Sequence, residues 1–459
     1  AIFTLKPDLK WADGASLTAD DSVFSFEVAS SPATRQSKFR TLRTKSYTAL
    51  DDRRTQWVGL PGYLPSNYFT FFYTPLPRHA YGDRRPDDMG ADQQVARNPI
   101  GWGPYRITEW VDGDHITLEK NPYYFRASEG LPKIDRIVVR YVNYPEGALD
   151  AFSVGKCDVG TRDISWDRLA TTLLNSQADG KLIPYFTSTT AFEHLDFDVA
   201  PGDDRYKFFA DKRVRQAFAY CIDRRAIIDQ YLWGKSTVPP TYAPADHPMF
   251  PSGGIAEYPF DPAQGLALLA QAHWADRGSD GVLIDNGLRF SISYLYEPNP
   301  LSEKVAGLVA RQLRSNCGIE ALPEPFQRSD FAESYPDGKV FSRKFDLAQF
   351  AWVVDYEPAC EPYLSSQIAS DDNPQGNNDT GWSASEFDTA CSEGTGSLDL
   401  NYKRTQHAQA MRLFADELPS LPLFAWLKIS VARSNVLNFQ PDPSQQSELW
   451  NVEEWDLSR

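Results

Sequence analysis

The chain has 459 residues, 42% of them hydrophobic and 13% aromatic, enough for sizeable cores and roughly two to four domains or lobes, and not the composition of a disordered chain. Its 46 Lys and Arg against 62 Asp and Glu give a formal charge of -16, which disfavours nucleic acid and anionic membrane as partners. No stretch is apolar for the ~18 residues that a membrane-spanning helix needs.

Ala1-Ile2-Phe3-Thr4-Leu5 already reads as a strand with no polar lead-in, so a further segment with a targeting sequence is expected upstream. Residues 1–98 read as β-rich. Within them Asp13-Gly14 signals a turn, and a helix opens with Thr18 as N-cap and Asp21 at the capping-box position. The Trp, Tyr and Phe of residues 56–73 read as a satellite core rather than a binding face. Asn98-Pro99-Ile100-Gly101-Trp102-Gly103-Pro104-Tyr105 is a turn without the GK[ST] or GxGxxG of a phosphate loop. A hairpin follows, Arg106 to Val111 and His115 to Lys120 about Asp112-Gly113-Asp114, then a strand from Ile134 to Tyr141 and a helix from Ala148 leading into a short strand near Val159.

Residues 191–198 alternate as a strand. The next helix starts after Asp211, carries Val214, Ala217, Phe218, Cys221 and Ile222 on one stripe, and continues through Ile227, Ile228 and Tyr231 to Gly234. Asp261-Pro262 caps another. From residue 289 the pattern alternates strand and helix: Phe290 to Tyr296, a helix from Ser302, Ile319 to Leu322, a short helix from Ser329, then Phe345 to Asp355. That order predicts right-handed crossovers and a largely parallel α/β sheet. A helix from Asn401 to Glu417 precedes a last long strand, Leu421 to Leu427.

The motifs of catalysis are missing. The six histidines are scattered without ligand spacing, and there is no CxxC and no GxSxG. The sequence therefore predicts no enzyme, no metal and no cofactor. Of five cysteines, Cys360 and Cys391 flank a polar stretch rich in Asn, Asp, Ser and Gly. A disulfide there would close a loop with little core of its own and imply an oxidising compartment. Cys221, on an apolar helix face, reads as a buried free thiol.

What remains is a binding constellation. The run Phe345-Asp346-Leu347-Ala348-Gln349-Phe350-Ala351-Trp352-Val353-Val354 ends in Asp355-Tyr356-Glu357-Pro358. A strand buried on both faces would thus exit at a carboxylate, and ligands in open α/β sheets bind outside the carboxyl ends of strands. Asp355 is placed to receive a cation, with Trp352, Tyr356 and, from the following loop, Trp382 beside it. The alternatives are an Asp that caps the next turn and a Trp382 that anchors its own loop.

In this order the motifs resemble the extracellular solute-binding proteins of the peptide/nickel class, the dipeptide and oligopeptide receptors of ABC importers. The resemblance is carried by Phe3 to Gly14 with Leu17-Thr18-Ala19-Asp20-Asp21, by Gly101-Trp102-Gly103-Pro104-Tyr105 running on to Asn121-Pro122-Tyr123-Tyr124, by Val214-Arg215-Gln216-Ala217 with Ile222-Asp223-Arg224, and by the strand ending in Asp355. It implies a two-lobed, periplasmic-binding-protein-like α/β clamshell with an additional subdomain on the first lobe. Residues 1–98 would be that subdomain, 99–192 the core of lobe I, 193–427 lobe II, and 428–459 a return to lobe I, with hinges near 191–198 and 421–429. It further implies a monomeric, extracytoplasmic receptor, periplasmic or at the cell surface and lipid-anchored or secreted, that captures short peptides between its lobes and delivers them to a membrane permease. An oligosaccharide receptor of the same fold, using the Trp- and Tyr-rich surfaces for stacking, is the alternative. In peptide-binding members the Asp matching Asp355 holds the α-amino group and the Trp matching Trp352 lines the pocket. The chain departs at Gln349, where oligopeptide binders carry Arg.

Overall fold

The computed structural model describes residues 1–459 except Arg35, Leu64, Asn143, Ala178, Asp179 and Arg459, with Ala332 described by its backbone only. The chain forms two compact units, Ala1–Tyr185 with Ile429–Arg459, and Phe186–Lys428. It passes from one to the other inside two long strands, Leu182–Phe197 and Ser420–Arg433. The first of these begins nine residues before the 191 expected from alternation, because residues 182–190 mix Pro, Thr and Ser and hide the period of two.

In the first unit the helix Ala19–Ser30 starts where its cap places it. Asp21 reaches back to accept from Thr18 N at 2.9 Å. The helix packs on a three-stranded sheet in which Arg54–Gly59 lies between Ile2–Thr4 and Thr44–Asp51. Tyr47, Trp57, Phe71 and Tyr73 form a buried cluster there, so Trp57, Phe71 and Tyr73 of the 56–73 stretch make a local core, while Tyr68 and Phe69 stay exposed. The hairpin Tyr105–Val111 and His115–Lys120 pairs Val111 with His115 across its turn, and Arg136–Arg140 adds a third antiparallel strand.

The second unit is organised on strands ordered Glu320–Pro325, Ser291–Tyr296, Leu347–Val353, Leu182–Phe197 and Ser420–Arg433. The first three are parallel, joined through the helices Pro300–Gln312 and Arg328–Ala332. Leu347–Val353 then meets Leu182–Phe197 antiparallel, Leu347 facing Phe197 and Trp352 facing Phe192. The sheet is therefore mixed: the strand–helix pattern described its parallel half, while the antiparallel neighbour comes from far upstream in the chain.

Two expectations need correction. The helix after Asp211 is two helices, Lys212–Cys221 and Arg224–Tyr231. Asp223 breaks the run by turning its carboxylate onto Ala226 N at 2.9 Å, which caps the second helix. The apolar stripe continues across the break because both helices face the same core. Cys221 is not a free thiol but is bonded to Cys317, 96 residues on. Apolar periodicity reports burial and is blind to which side chain lies opposite.

Candidate functional site

Every candidate binding residue, Trp352, Asp355, Tyr356 and Trp382, lies in the second unit. Leu347, Ala348, Gln349 and Phe350 are buried, as a strand inside a sheet requires. Val354 N still donates to Thr190 O at 2.8 Å, after which the chain leaves the ladder. Asp355 follows at once and is exposed. Its Oδ1 accepts from Tyr356 N at 2.7 Å, and among the described residues no Lys, Arg or His pairs with its carboxylate. The main-chain carbonyl of Asp355 accepts from His247 Nε2 at 3.0 Å. Since His247 Nδ1 accepts from Met249 N at 3.1 Å, the ring is the neutral Nε2–H tautomer. Burial agrees, holding its pKa below the usual histidine value.

The aromatic residues divide. Tyr356 is 46% exposed and stands beside the carboxylate. Trp352 is half-buried, stacked on His194 with centroids 6.1 Å apart and edge-on to Phe350 at 5.2 Å. Trp382 is 4% exposed and packs edge-on against Phe387, which makes it the anchor of its loop.

That loop has more core than its composition suggested. Tyr363, Trp382, Phe387 and Phe414 are buried together with Cys360 and Cys391, which are joined as a disulfide. Asn378 makes the polar stretch buriable: its Nδ2 donates to Leu364 O at 2.9 Å and Trp382 O at 3.0 Å, and its Oδ1 accepts from Thr380 Oγ1 at 2.9 Å and Gly381 N at 3.0 Å. All four bonding sites of the amide are used, so little desolvation cost remains.

Gln349, the point of departure from the oligopeptide pattern, is fully buried. Its Oε1 accepts from Tyr294 OH, and its Nε2 donates to Glu193 Oε1 at 2.6 Å. Ser302 Oγ and Trp426 Nε1 close on the same carboxyl at 2.9 Å and 3.0 Å. Burial pushes the Glu193 carboxyl above its usual range against these donors. Both ends of the Gln349 amide are thus spent inside this network.

Sequence reasoning passed over His247, Lys403 and His407. Lys403 and His407 sit one turn apart on the helix Leu400–Glu417 and both meet Glu357, whose Oε1 lies 2.5 Å from His407 Nε2. The i, i+4 spacing was readable, but their common partner lies about 50 residues upstream. Among the described residues no group of three His, Cys, Asp or Glu is arranged to hold a metal ion.

The model of the family described as bacterial extracellular solute-binding proteins, family 5 Middle, matches residues 1–373. The oligopeptide-binding protein AppA of Bacillus subtilis is 24% identical over an alignment spanning 99% of this chain and 80% of that protein. A probable ABC transporter-binding protein of Deinococcus radiodurans is 27% identical over 63% of this chain, a region amounting to 53% of the relative. Among solved structures, that of Bacillus subtilis AppA in complex with a nonapeptide superposes with a TM-score of 0.65 at 23% identity, covering 100% of this chain and 87% of that one. HbpA2 of Haemophilus parasuis gives 0.80 at 18% identity, covering 100% and 88%. At these identities the structural likeness establishes a shared two-lobed α/β fold.

Proposed function

The chain belongs to the bacterial extracellular solute-binding proteins of family 5, and from that premise we propose that it is the substrate-binding component of an ABC importer, taking up short peptides and passing them to a membrane permease. The observation that carries this reading is Asp355: an exposed carboxylate at the carboxyl end of a central strand, its backbone held by His247 and its charge met by no cation among the described residues. A peptide's α-ammonium supplies that cation through charge-assisted hydrogen bonds of about twice neutral strength. Tyr356 and the edge of Trp352 would border the amine, with Trp382 bracing the loop behind them. The backbone of an extended peptide can be held by main-chain pairing, which tolerates many side chains.

The receptor would work outside the cytoplasmic membrane as a monomer, secreted or held by a lipid anchor, and without catalysis of its own. Among the described residues no helix is long and apolar enough to cross a membrane. The oligosaccharide alternative calls for open indole faces, and the burial of Trp382 and the stacking of Trp352 on His194 weigh against it.

Calorimetry with di- to pentapeptides tests the proposal. Asp355→Asn is expected to weaken binding at least tenfold, about 1.4 kcal/mol, and N-acetylated peptides are expected to bind poorly to the wild type. Equal affinity of both proteins for unblocked and acetylated peptides would remove the amine anchor.

A further inference from the structure

The loop that carries Asp355 is fastened on both sides, with every fastening inside the Phe186–Lys428 unit. Ahead of Asp355 is the last ladder bond, Val354 N to Thr190 O. At Asp355 the carbonyl accepts from His247. Two residues on, Glu357 turns inward and divides its carboxylate between two donors: Oε1 to His407 Nε2 at 2.5 Å and Oε2 to the Lys403 ammonium. Further on, Cys360 is bonded to Cys391 of the helix Ser385–Gly396. His407 is fully buried and Lys403 nearly so. A carboxylate gripped by two donors one turn apart on a single helix has one seat. Only the Asp355 and Tyr356 linkages separate that seat from the carbonyl held by His247.

We propose that Glu357 is a positioning residue for ligand selection: through Lys403 and His407 it holds the 355–357 segment in the conformation that presents the Asp355 carboxylate to a ligand's ammonium group. This rests on the reading of Asp355 as the amine anchor. Burial alone would lift the Glu357 carboxyl, but the hydrogen bonds and charges of His407 and Lys403 outweigh it and hold the group below the usual carboxylate range. Glu357 is therefore ionised at neutral pH, and the grip is charge-assisted. Near it lies His247, neutral by burial and itself within the field of Asp246; on its own segment lie Asp355 and Tyr356. A ligand whose amine is blocked takes no benefit from a well-aimed carboxylate. Loss of the grip should then act on free amines alone.

The experiment presents a random pentapeptide library, half of it N-acetylated, to immobilised protein and measures by mass spectrometry the enrichment of free over acetylated peptides. Wild type is expected to enrich free peptides at least tenfold. Glu357→Gln should bring the enrichment close to one while retaining acetylated peptides as wild type does. Lys403→Met, which leaves the His407 bond in place, should fall between, and it decides the matter if thermal melting shows that Glu357→Gln does not fold. Wild-type enrichment in folded Glu357→Gln or Lys403→Met, or equal loss of both peptide classes, overturns the positioning role while the anchor stands. Enrichment absent from wild type, or intact in Asp355→Asn, overturns the anchor itself and the positioning role with it.

Discussion

Asp198 stands just past the strand Leu182–Phe197, 1% exposed, and neither carboxylate oxygen has a hydrogen-bond partner among the described residues. Burial pushes its pKa up to about 9, against the opposing charges of Arg205 and Arg343. The folded protein thus keeps a proton here that the unfolded chain releases near 3.8. Over that window the native state binds more protons, so this group's contribution is complete below the unfolded value and is lost as pH rises toward 9. Asp198→Asn removes the titration at little cost in shape. At ~1.4 kcal/mol per pKa unit over the interval above 3.8, it is expected to raise stability by on the order of 5 kcal/mol at pH 8 and to change it little at pH 4. Denaturant titrations at the two pH values check this, and the same increment at both would show that Asp198 is not held neutral. The neighbouring carboxyls Asp196 and Asp379 are likewise pushed up by burial. These acids were visible in the sequence as letters, but the upward shift of each follows from surroundings that only the fold supplies.

Helix starts were legible because they are local. Asp211 and Asp261 each accept from a backbone N–H of the first turn that follows, and an N-cap acts within four residues of itself; the cap at Asp223 was hidden by the apolar stripe that runs across it. How the helices meet was not legible. Gly265, inside the helix Pro262–Gln271, lies where an added Cβ would come 2.6 Å from Cys221 Sγ and 3.2 Å from Ala217 O. The glycine thus lets this helix close on Lys212–Cys221 directly over the Cys221–Cys317 bond. An alanine is the better helix former in isolation, yet here Gly265→Ala is expected to cost about 1–3 kcal/mol through overpacking. A lower denaturation midpoint at unchanged slope would agree; a midpoint raised by the propensity gain would contradict the contact. Propensity alone predicts the opposite sign, because it counts the helix by itself and not the neighbour that closes on it.

For the whole molecule, the two crossings between units fall inside strands, in Leu182–Phe197 and Ser420–Arg433. A ligand that binds only the native protein stabilises it by mass action, about 2.7 kcal/mol at a hundredfold excess over its dissociation constant. Unblocked short peptides are therefore expected to raise the melting temperature in a concentration-dependent way, and oligosaccharides at equal concentration are not. A rise with oligosaccharides alone would reverse the proposed ligand class. The formal charge of -16 acts at this scale too, since a field of that sign admits cationic and zwitterionic solutes more readily than polyanions.

By itself the sequence determined what depends on near neighbours and on motif order: the capped helices, the hairpin, the strand that ends in Asp355, the family and its two-lobed fold. Capping, turn chemistry and the apolar period all act over a few residues, so they are written where they operate. Tertiary structure decided the rest. It paired Cys221 with Cys317, set Leu182–Phe197 antiparallel to Leu347–Val353, turned Trp382 into a core residue, absorbed Gln349 into a buried network and brought Glu357 to Lys403 and His407. Each of these joins residues tens to more than a hundred positions apart. Their energies come from burial and close packing, which the folded chain acquires only when distant segments arrive together.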